Sequence, residues 1–151
     1  MTGISVSILT VSDSVVSGTR EDASGAAIAA WAASADMRVI QHETCPDATD
    51  AITAALLRLA RPGTDLVITT GGTGLTARDV TPEATAAVVE RAVPGIAEVM
   101  RAKGAGSTPM AWLSRGIAGT RGSTLIINLP GSTGGVRDGL DVLAPLLPHA
   151  V

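Results

Sequence analysis

Four short runs of apolar and β-branched residues, each followed by a segment of helical length, constrain the fold of this chain more than any other feature. The runs cover residues 4–11, 37–44, 64–70 and 123–131. Strands that alternate with helices in this way predict a mostly parallel sheet covered by helices on both faces. The predicted fold class is therefore α/β.

The segments between these runs carry start and stop signals of helices. Residues 46–63 are the best-marked example, because Pro62 and Gly63 end the apolar periodicity. The other expected elements are helices over residues 26–34, 81–93, 96–104 and 133–149 (the last bent or stopped at Pro145), a polar loop over 12–25, and a short helix with a glycine-rich loop over 108–122.

Length and composition limit the classes of function. A chain of 151 residues favours a single domain over residues 1–151. The net charge of −3 and the absence of Phe and Tyr argue against nucleic-acid binding, which uses basic surfaces or aromatic stacking. With no membrane-length apolar run and no signal-like start, we expect a cytoplasmic protein without a membrane partner. The single cysteine, Cys45, is expected in the core rather than as a nucleophile.

Three polar or glycine-rich loops follow predicted strands. They are Ser12-Asp13-Ser14, the "GGTG" of residues 71–74 and the "PGSTGG" of residues 130–135. Parallel sheets bind ligands beyond the carboxyl ends of their strands, and free glycine amides near helix N-termini bind anions. The "GGTG" loop matches neither the dinucleotide fingerprint nor the Walker loop. A phosphate cradle of another type and a set of ordinary tight turns are the two alternatives.

Asp79 lies beside Arg78, between the glycine loop and the next predicted helix. We expect Thr81 to cap that helix and Pro82 to occupy its first turn, which leaves the Asp79 carboxylate spare. A spare carboxylate beside a phosphate cradle suits Mg²⁺, which takes one or two carboxylates plus water and substrate phosphate. The alternative is a solvated aspartate that hydrogen-bonds its own turn.

Asp47 follows the second predicted strand in the segment "CPDATDA". Its position, with the acidic Asp50 three residues later, favours a helix cap on pattern alone. Because it also follows a strand, it could instead face the same edge of the sheet as Asp79.

The segments "TTGGTGLTARDVTPEAT" and "NLPGSTGGVRDGLDVLAPLLPH" resemble the MogA/MoaB family of molybdenum-cofactor biosynthesis. The earlier segments "VSDSVVSGTREDASG" and "CPDATDAI" match the same family in order and spacing, so the resemblance covers nearly the whole chain. It implies a three-layer α/β/α sandwich, commonly a homotrimer. It also implies a molybdopterin adenylyltransferase that uses molybdopterin, ATP and Mg²⁺, releases pyrophosphate and hands its product to a molybdenum insertase.

The family's two functional aspartates fall on Asp47 and Asp79, which implies catalytic and Mg²⁺-binding roles for both and favours function over a cap at Asp47. The residue pattern and the resemblance together predict that Ser12 and Asp13 line the nucleotide side, that the amides of Gly71, Gly72 and Gly74 hold phosphate, and that Pro130, Gly131 and Ser132 shape the molybdopterin pocket. Thr73 and Arg78 are further expected substrate-binding residues. The chain departs from many relatives at Ser14, where they have Arg or Thr, and in the residues after Gly131.

Two other functions stay open on this basis. A molybdopterin- or nucleotide-binding paralogue with little or no catalysis would act as a carrier or scaffold. Metal insertion is the other candidate, and it uses this fold as one domain of a larger chain, so a length of 151 residues counts against it. The presence of both Asp47 and Asp79 favours the enzyme.

Overall fold

The computed structural model describes residue 1 and residues 3–151, and a mixed sheet lies at its centre. The strands are β1 (Ser5–Val11), β2 (Arg38–Cys45), β3 (Leu66–Thr70), β4 (Arg91–Ala92), β5 (Ala118–Arg121) and β6 (Thr124–Leu129). They are arranged in the order β2-β1-β3-β6-β5-β4. The first four strands of this order are parallel, and β5 and β4 are antiparallel to their neighbours. The parallel strands coincide with the four predicted runs, which confirms the α/β class.

Helices cover both faces of the sheet. They are α1 (Asp13–Val16), α2 (Ala23–Ser34), α3 (Thr49–Leu59), α4 (Thr81–Val88), α5 (Pro94–Ala105), α6 (Thr133–Leu143) and α7 (Leu147–Ala150), with a short 3₁₀ helix over Pro109–Leu113. Along β3, Leu66 and Ile68 pack against α2, α5, α6 and α7, while Val67 packs against α3 and α4. A strand buried on both faces needs a continuous apolar run, which is what β3 has. The three-layer α/β/α sandwich is therefore confirmed.

The expected helix over residues 81–93 is too long. It ends at Val88, and the chain continues into the edge strand β4. Two successive β-branched valines and Pro94 weaken the helix here, and pairing with β5 offers the backbone another partner. The amide of Glu90 donates to the carbonyl of Thr120 at 2.8 Å, and that of Val93 to the carbonyl of Ala118 at 2.9 Å.

Two segments expected to be loops contain regular structure. Strand β5 lies inside the glycine-rich loop expected after the short helix in residues 108–122. The supposed polar loop 12–25 holds α1 and the start of α2. Helix α2 begins there because Asp22 caps it by accepting a hydrogen bond from the Gly25 amide at 2.9 Å.

The antiparallel direction of β5 has a consequence for the site. Ala118, the first residue of β5, pairs with Ile127 near the carboxyl end of β6. The segment 114–117 that enters β5 therefore reaches the same edge of the sheet as the loops that leave the parallel strands.

Within residues 1 and 3–151, no helix combines the length and the apolar character that crossing a bilayer requires.

Candidate active site at the carboxyl edge of the sheet

A cavity of about 1050 Å³ opens at the carboxyl ends of β1, β3 and β6. The structure brings nearly all the predicted site residues to its wall: Ser12, Asp13, Asp47, Gly71, Gly72, Thr73, Gly74, Asp79, Pro130, Gly131 and Ser132. Arg78 is the exception, since it does not line the cavity and its side chain is 67% exposed. The parallel topology thus gathers loops that are far apart in sequence.

Asp47 and Asp13 hold each other through reciprocal hydrogen bonds. The Asp13 amide donates to Oδ2 of Asp47 at 2.9 Å, and the Asp47 amide donates to Oδ1 of Asp13 at 3.0 Å. The cap expected from pattern alone at Asp47 is wrong, because α3 begins at Thr49 and no side chain caps it. The Asp47 carboxylate instead fixes the loop after β1 against the loop after β2.

Arg78 forms an ion pair with Asp13 rather than entering the cavity. Its Nε and Nη2 atoms donate to Oδ2 of Asp13 at 3.1 and 2.5 Å. These bonds, with that from the Asp47 amide, hold the pKa of the Asp13 carboxyl below its ordinary value. Asp13 is therefore a carboxylate at neutral pH, and its Oδ2 atom is paired with the Arg78 guanidinium.

Asp79 combines the two alternatives drawn from the sequence. Its Oδ2 atom accepts hydrogen bonds from the amide and the hydroxyl of Thr76, at 3.0 and 2.8 Å, so it does bond its own turn. Its Oδ1 atom has no hydrogen-bond partner among the residues that the structure describes. One oxygen thus fixes the side chain while the other is available at the cavity wall.

Thr81 does not cap α4 as expected. The helix begins at Thr81 itself, and the Thr81 hydroxyl donates to the carbonyl of Gly71 at 2.9 Å. This buried bond ties the first turn of α4 to the glycine loop, and so fixes the start of the helix that follows Asp79.

The first two glycines of the "GGTG" loop are required by backbone conformation and by close packing. Gly71 and Gly72 have φ angles of 97° and 69°, in the left-handed region. A Cβ atom would lie 2.2 Å from the Val11 carbonyl oxygen at Gly71, and 2.2 Å from the Thr81 hydroxyl at Gly72. The ordinary-turn alternative therefore explains part of the glycine content.

The Gly71 amide, an expected phosphate contact, has a hydrogen-bond partner within the protein. That N–H already donates to the Leu129 carbonyl at 3.2 Å. The amides of Gly72, Thr73 and Gly74 donate no hydrogen bond to the part of the chain that the structure describes, so the anion-binding capacity of this loop rests on these three.

Serine hydroxyls organise the other two loops. Ser132 caps α6, since its hydroxyl accepts from the Gly135 amide at 3.1 Å. Ser12 caps α1 by accepting from Val15 at 3.3 Å and lies 3.0 Å from the Ser14 hydroxyl. The Ser132 hydroxyl keeps a hydrogen that can be donated to a ligand.

Sequence reasoning missed Arg115, which binds the loop that carries Asp79. Its Nε atom donates to the Gly74 carbonyl at 2.8 Å, and its Nη2 atom donates to the Asp79 carbonyl at 2.6 Å. Its Nη1 atom forms an ion pair with Glu83, which lowers the pKa of the Glu83 carboxyl. No local sequence pattern signals such long-range contacts to backbone carbonyls.

Asn128 was missed as well, although a polar residue inside the apolar run "STLIINLPG" is a signal that could have found it. It is buried, and its side chain donates to the hydroxyls of Thr69 and Thr85, both at 3.0 Å. Its Oδ1 atom accepts from the Ile117 amide at 3.1 Å. Asn128 therefore links β6 to β3, to α4 and to the segment that enters β5, directly beneath the cavity.

The donor set fits Mg²⁺. Asp47 and Asp79 each keep an Oδ1 atom without a hydrogen-bond partner among the described residues, and both side chains line the cavity. Within those residues no group of three or more His, Cys, Asp or Glu side chains is close enough to hold a metal. Mg²⁺ commonly takes only one or two carboxylates and leaves its other positions to water and substrate phosphate, so two aspartates suffice.

Comparison with known proteins places the chain in a family. Residues 7–149 match the model of the family described as "Probable molybdopterin binding domain". The structure of the molybdopterin biosynthesis enzyme MoaB from Thermus thermophilus superposes with a TM-score of 0.91 at 50% sequence identity, covering 97% of this chain and 93% of that one.

Two curated relatives differ widely in length. Gephyrin from Dictyostelium discoideum is 40% identical over 97% of this chain, which spans 22% of gephyrin. The molybdopterin adenylyltransferase of Helicobacter pylori strain J99 is 38% identical over 100% of this chain, which spans 88% of that protein. The chain spans less than half the length of several longer relatives. Because the family model covers nearly the whole chain, the chain belongs to the molybdopterin-binding domain family of molybdenum-cofactor biosynthesis, the family of MogA and MoaB.

Proposed function

We propose that this chain is a molybdopterin adenylyltransferase of molybdenum-cofactor biosynthesis. A phosphate oxygen of molybdopterin bonds to the α-phosphorus of ATP, the bond from that phosphorus to the bridging oxygen of the β-phosphate breaks, and pyrophosphate leaves. Family membership and the adenylyltransferase relative that the chain spans almost completely support this proposal. The nucleophile is already an anion, so the reaction needs no strong general base.

One observation carries the proposal. Asp47 and Asp79, which follow different strands and lie far apart in sequence, line the same cavity. The volume of about 1050 Å³ lies at the upper end for small-molecule sites, which leaves room for a nucleotide and a second ligand side by side.

The chain's own groups would divide the two ligands between adjacent loops of the cavity wall. The Gly72 and Gly74 amides would donate to the triphosphate, and Ser12 and Asp13 would contact the nucleotide. Pro130, Gly131 and the Ser132 hydroxyl, at the N-terminus of α6, would receive the molybdopterin phosphate. Holding both phosphates in line within one cavity supplies most of what phosphoryl transfer requires.

Asp47 and Asp79 would hold Mg²⁺ through their Oδ1 atoms. When bound, the ion stabilises the negative charge that develops on the triphosphate. The Asp13–Asp47 hydrogen bonds and the Thr76–Asp79 hydrogen bonds keep both carboxylates in place before ligands arrive.

The proposal extends to the setting of the reaction. We infer a cytoplasmic homotrimer that passes its product to a molybdenum insertase, on the strength of the family resemblance. Sedimentation equilibrium tests the assembly: a mass of one or two chains would overturn the trimer.

Pyrophosphate release in the presence of molybdopterin, ATP and Mg²⁺ tests the reaction. We expect turnover in the wild type and a loss of about 10²-fold or more in Asp79→Asn and in Asp47→Asn, because each removes a charge that acts on the transferring group. Asp50→Asn is the matched control, since Asp50 lies in the first turn of α3 and outside the cavity wall. Turnover that survives in both aspartate variants would remove them from the mechanism. Ligand binding without any wild-type turnover would favour the carrier.

A further inference from the structure

Arg115 contacts both ends of the short loop that carries Asp79. Its backbone amide donates to the Thr73 carbonyl at 2.9 Å. Its guanidinium reaches the carbonyl of Gly74 at one end of the loop and that of Asp79 at the other. One side chain therefore sets the distance between two points five residues apart.

The same loop is closed internally by Thr76. The Asp79 amide donates to the Thr76 carbonyl at 3.0 Å, while Oδ2 of Asp79 accepts from the amide and hydroxyl of Thr76. The internal bonds fix the side chain of Asp79 relative to its own loop. They do not fix the loop relative to the sheet. The contacts from Arg115 and the ion pair between Arg78 and Asp13 do.

Arg115 is itself held on a firm support. The Nη1 atom of Arg101, in α5, donates to the Gly116 carbonyl at 3.1 Å and to the Ser114 carbonyl at 3.4 Å, on either side of Arg115. Oδ1 of Asn128 holds the next amide along the chain, that of Ile117. The segment that presents Arg115 is thus attached both to a helix and to the central sheet.

We propose that Arg115 is a positioning residue for Asp79: by bridging the carbonyls of Gly74 and Asp79 it holds the free carboxylate oxygen of Asp79 at the place where a divalent cation and a polyphosphate meet. This inference rests on the proposed function for its chemistry, but the placement of the loop can be measured without turnover.

The chemistry of the contact requires arginine. Two carbonyl oxygens are reached by two N–H groups of one rigid, planar guanidinium, whereas a lysine ammonium is a single point charge on a flexible stem. The ion pair with Glu83 uses Nη1, the one guanidinium nitrogen that neither carbonyl contact uses. Arg115→Lys therefore keeps the charge and loses the bridge, and Glu83→Gln keeps the bridge and loses the ion pair.

Hydrogen–deuterium exchange of the ligand-free protein is the first test. In Arg115→Gln and Arg115→Lys we expect the hydrogen-bonded amides of Thr76, Asp79 and Thr81 to exchange about tenfold faster than in wild type, because the loop loses its two hydrogen bonds to the guanidinium. Arg121→Gln is the matched control: Arg121 is also near α4 but donates to the Val88 carbonyl at the far end of the helix. Exchange in both Arg115 variants at the rate of the control would overturn the proposal.

Magnesium dependence is the second test. We expect Arg115→Lys and Arg115→Gln to need about 10- to 100-fold more Mg²⁺ for half-maximal pyrophosphate release, the usual cost of losing an outer partner of a metal ligand. Saturating Mg²⁺ should restore part of the rate, and Glu83→Gln should resemble wild type. An unchanged Mg²⁺ requirement in the Arg115 variants would contradict the positioning role. If the wild type shows no turnover, the adenylyltransferase proposal fails, while the exchange result still decides where Arg115 holds the loop.

Discussion

At the scale of single residues, the site is shaped by positions where only one residue type satisfies the backbone. Gly72 has a left-handed φ of 69° and faces the Thr81 hydroxyl so closely that a Cβ atom would collide with it. The same hydroxyl holds the Gly71 carbonyl. A side chain at Gly72 would therefore have two effects: it would strain the loop, and it would displace the start of α4.

Gly72→Ala should destabilise the protein by at least about 2 kcal/mol, since backbone strain in the left-handed region adds to the collision. Urea unfolding measures the change. Gly95→Ala is the control, because Gly95 lies in the first turn of α5 with open space where its Cβ would be. There we expect no loss and a gain of up to about 1 kcal/mol. Equal effects of the two substitutions would contradict the explanation.

Cys45 is confirmed as a core residue at the end of β2. Burial, reinforced by the carboxylates of Asp47 and Glu43, raises the pKa of its thiol from 9.0 to about 11. The folded protein therefore favours the neutral thiol. Its contribution to stability is fully present below pH 9.0 and is lost as the pH rises toward about 11, because the unfolded chain releases the proton first.

Comparison with Cys45→Ala tests this pH dependence. The difference in the free energy of unfolding between wild type and variant should be constant up to about pH 8 and should shift against the wild type by about pH 10.5. A difference that stays constant over this range would show that the thiol titrates normally in the fold.

At the scale of elements, the four parallel strands could be predicted because each is a compact apolar run ending in a turn signal. Strands β4 and β5 could not: β4 has two exposed residues, and β5 reads Ala-Gly-Thr-Arg without an apolar pattern. What makes them strands is pairing with each other and with β6, which is a property of the tertiary structure.

Asn128 is one buried side chain that joins β6 to β3, to α4 and to the segment before β5. Asn128→Ala should destabilise the protein by about 2–4 kcal/mol, because it leaves the Ile117 amide and the Thr69 hydroxyl without partners and removes the donor to the Thr85 hydroxyl. Thr85→Val removes one of those hydroxyls and should cost only about 1 kcal/mol. Thermal unfolding of both variants checks the order, and a larger loss in Thr85→Val would contradict the central position of Asn128.

At the scale of the whole molecule, one wall of the cavity could be predicted from the sequence and the other could not. The wall formed by the loops after β1, β2, β3 and β6 follows from parallel topology, which brings strand ends together. The opposite wall, which includes Ser107, Met110 and Ser114, depends on the antiparallel hairpin that the sequence pattern did not reveal. Arg115 was missed for the same reason.

The central prediction is that this edge of the sheet binds polyphosphate together with a divalent cation held by Asp47 and Asp79. Calorimetric titration of the protein with ATP, with and without Mg²⁺, tests it most directly. We predict binding that requires Mg²⁺ and is weakened about tenfold or more in Asp47→Asn and Asp79→Asn but not in Asp50→Asn. Absence of nucleotide binding, or binding that neither Mg²⁺ nor the two aspartates affects, would contradict it.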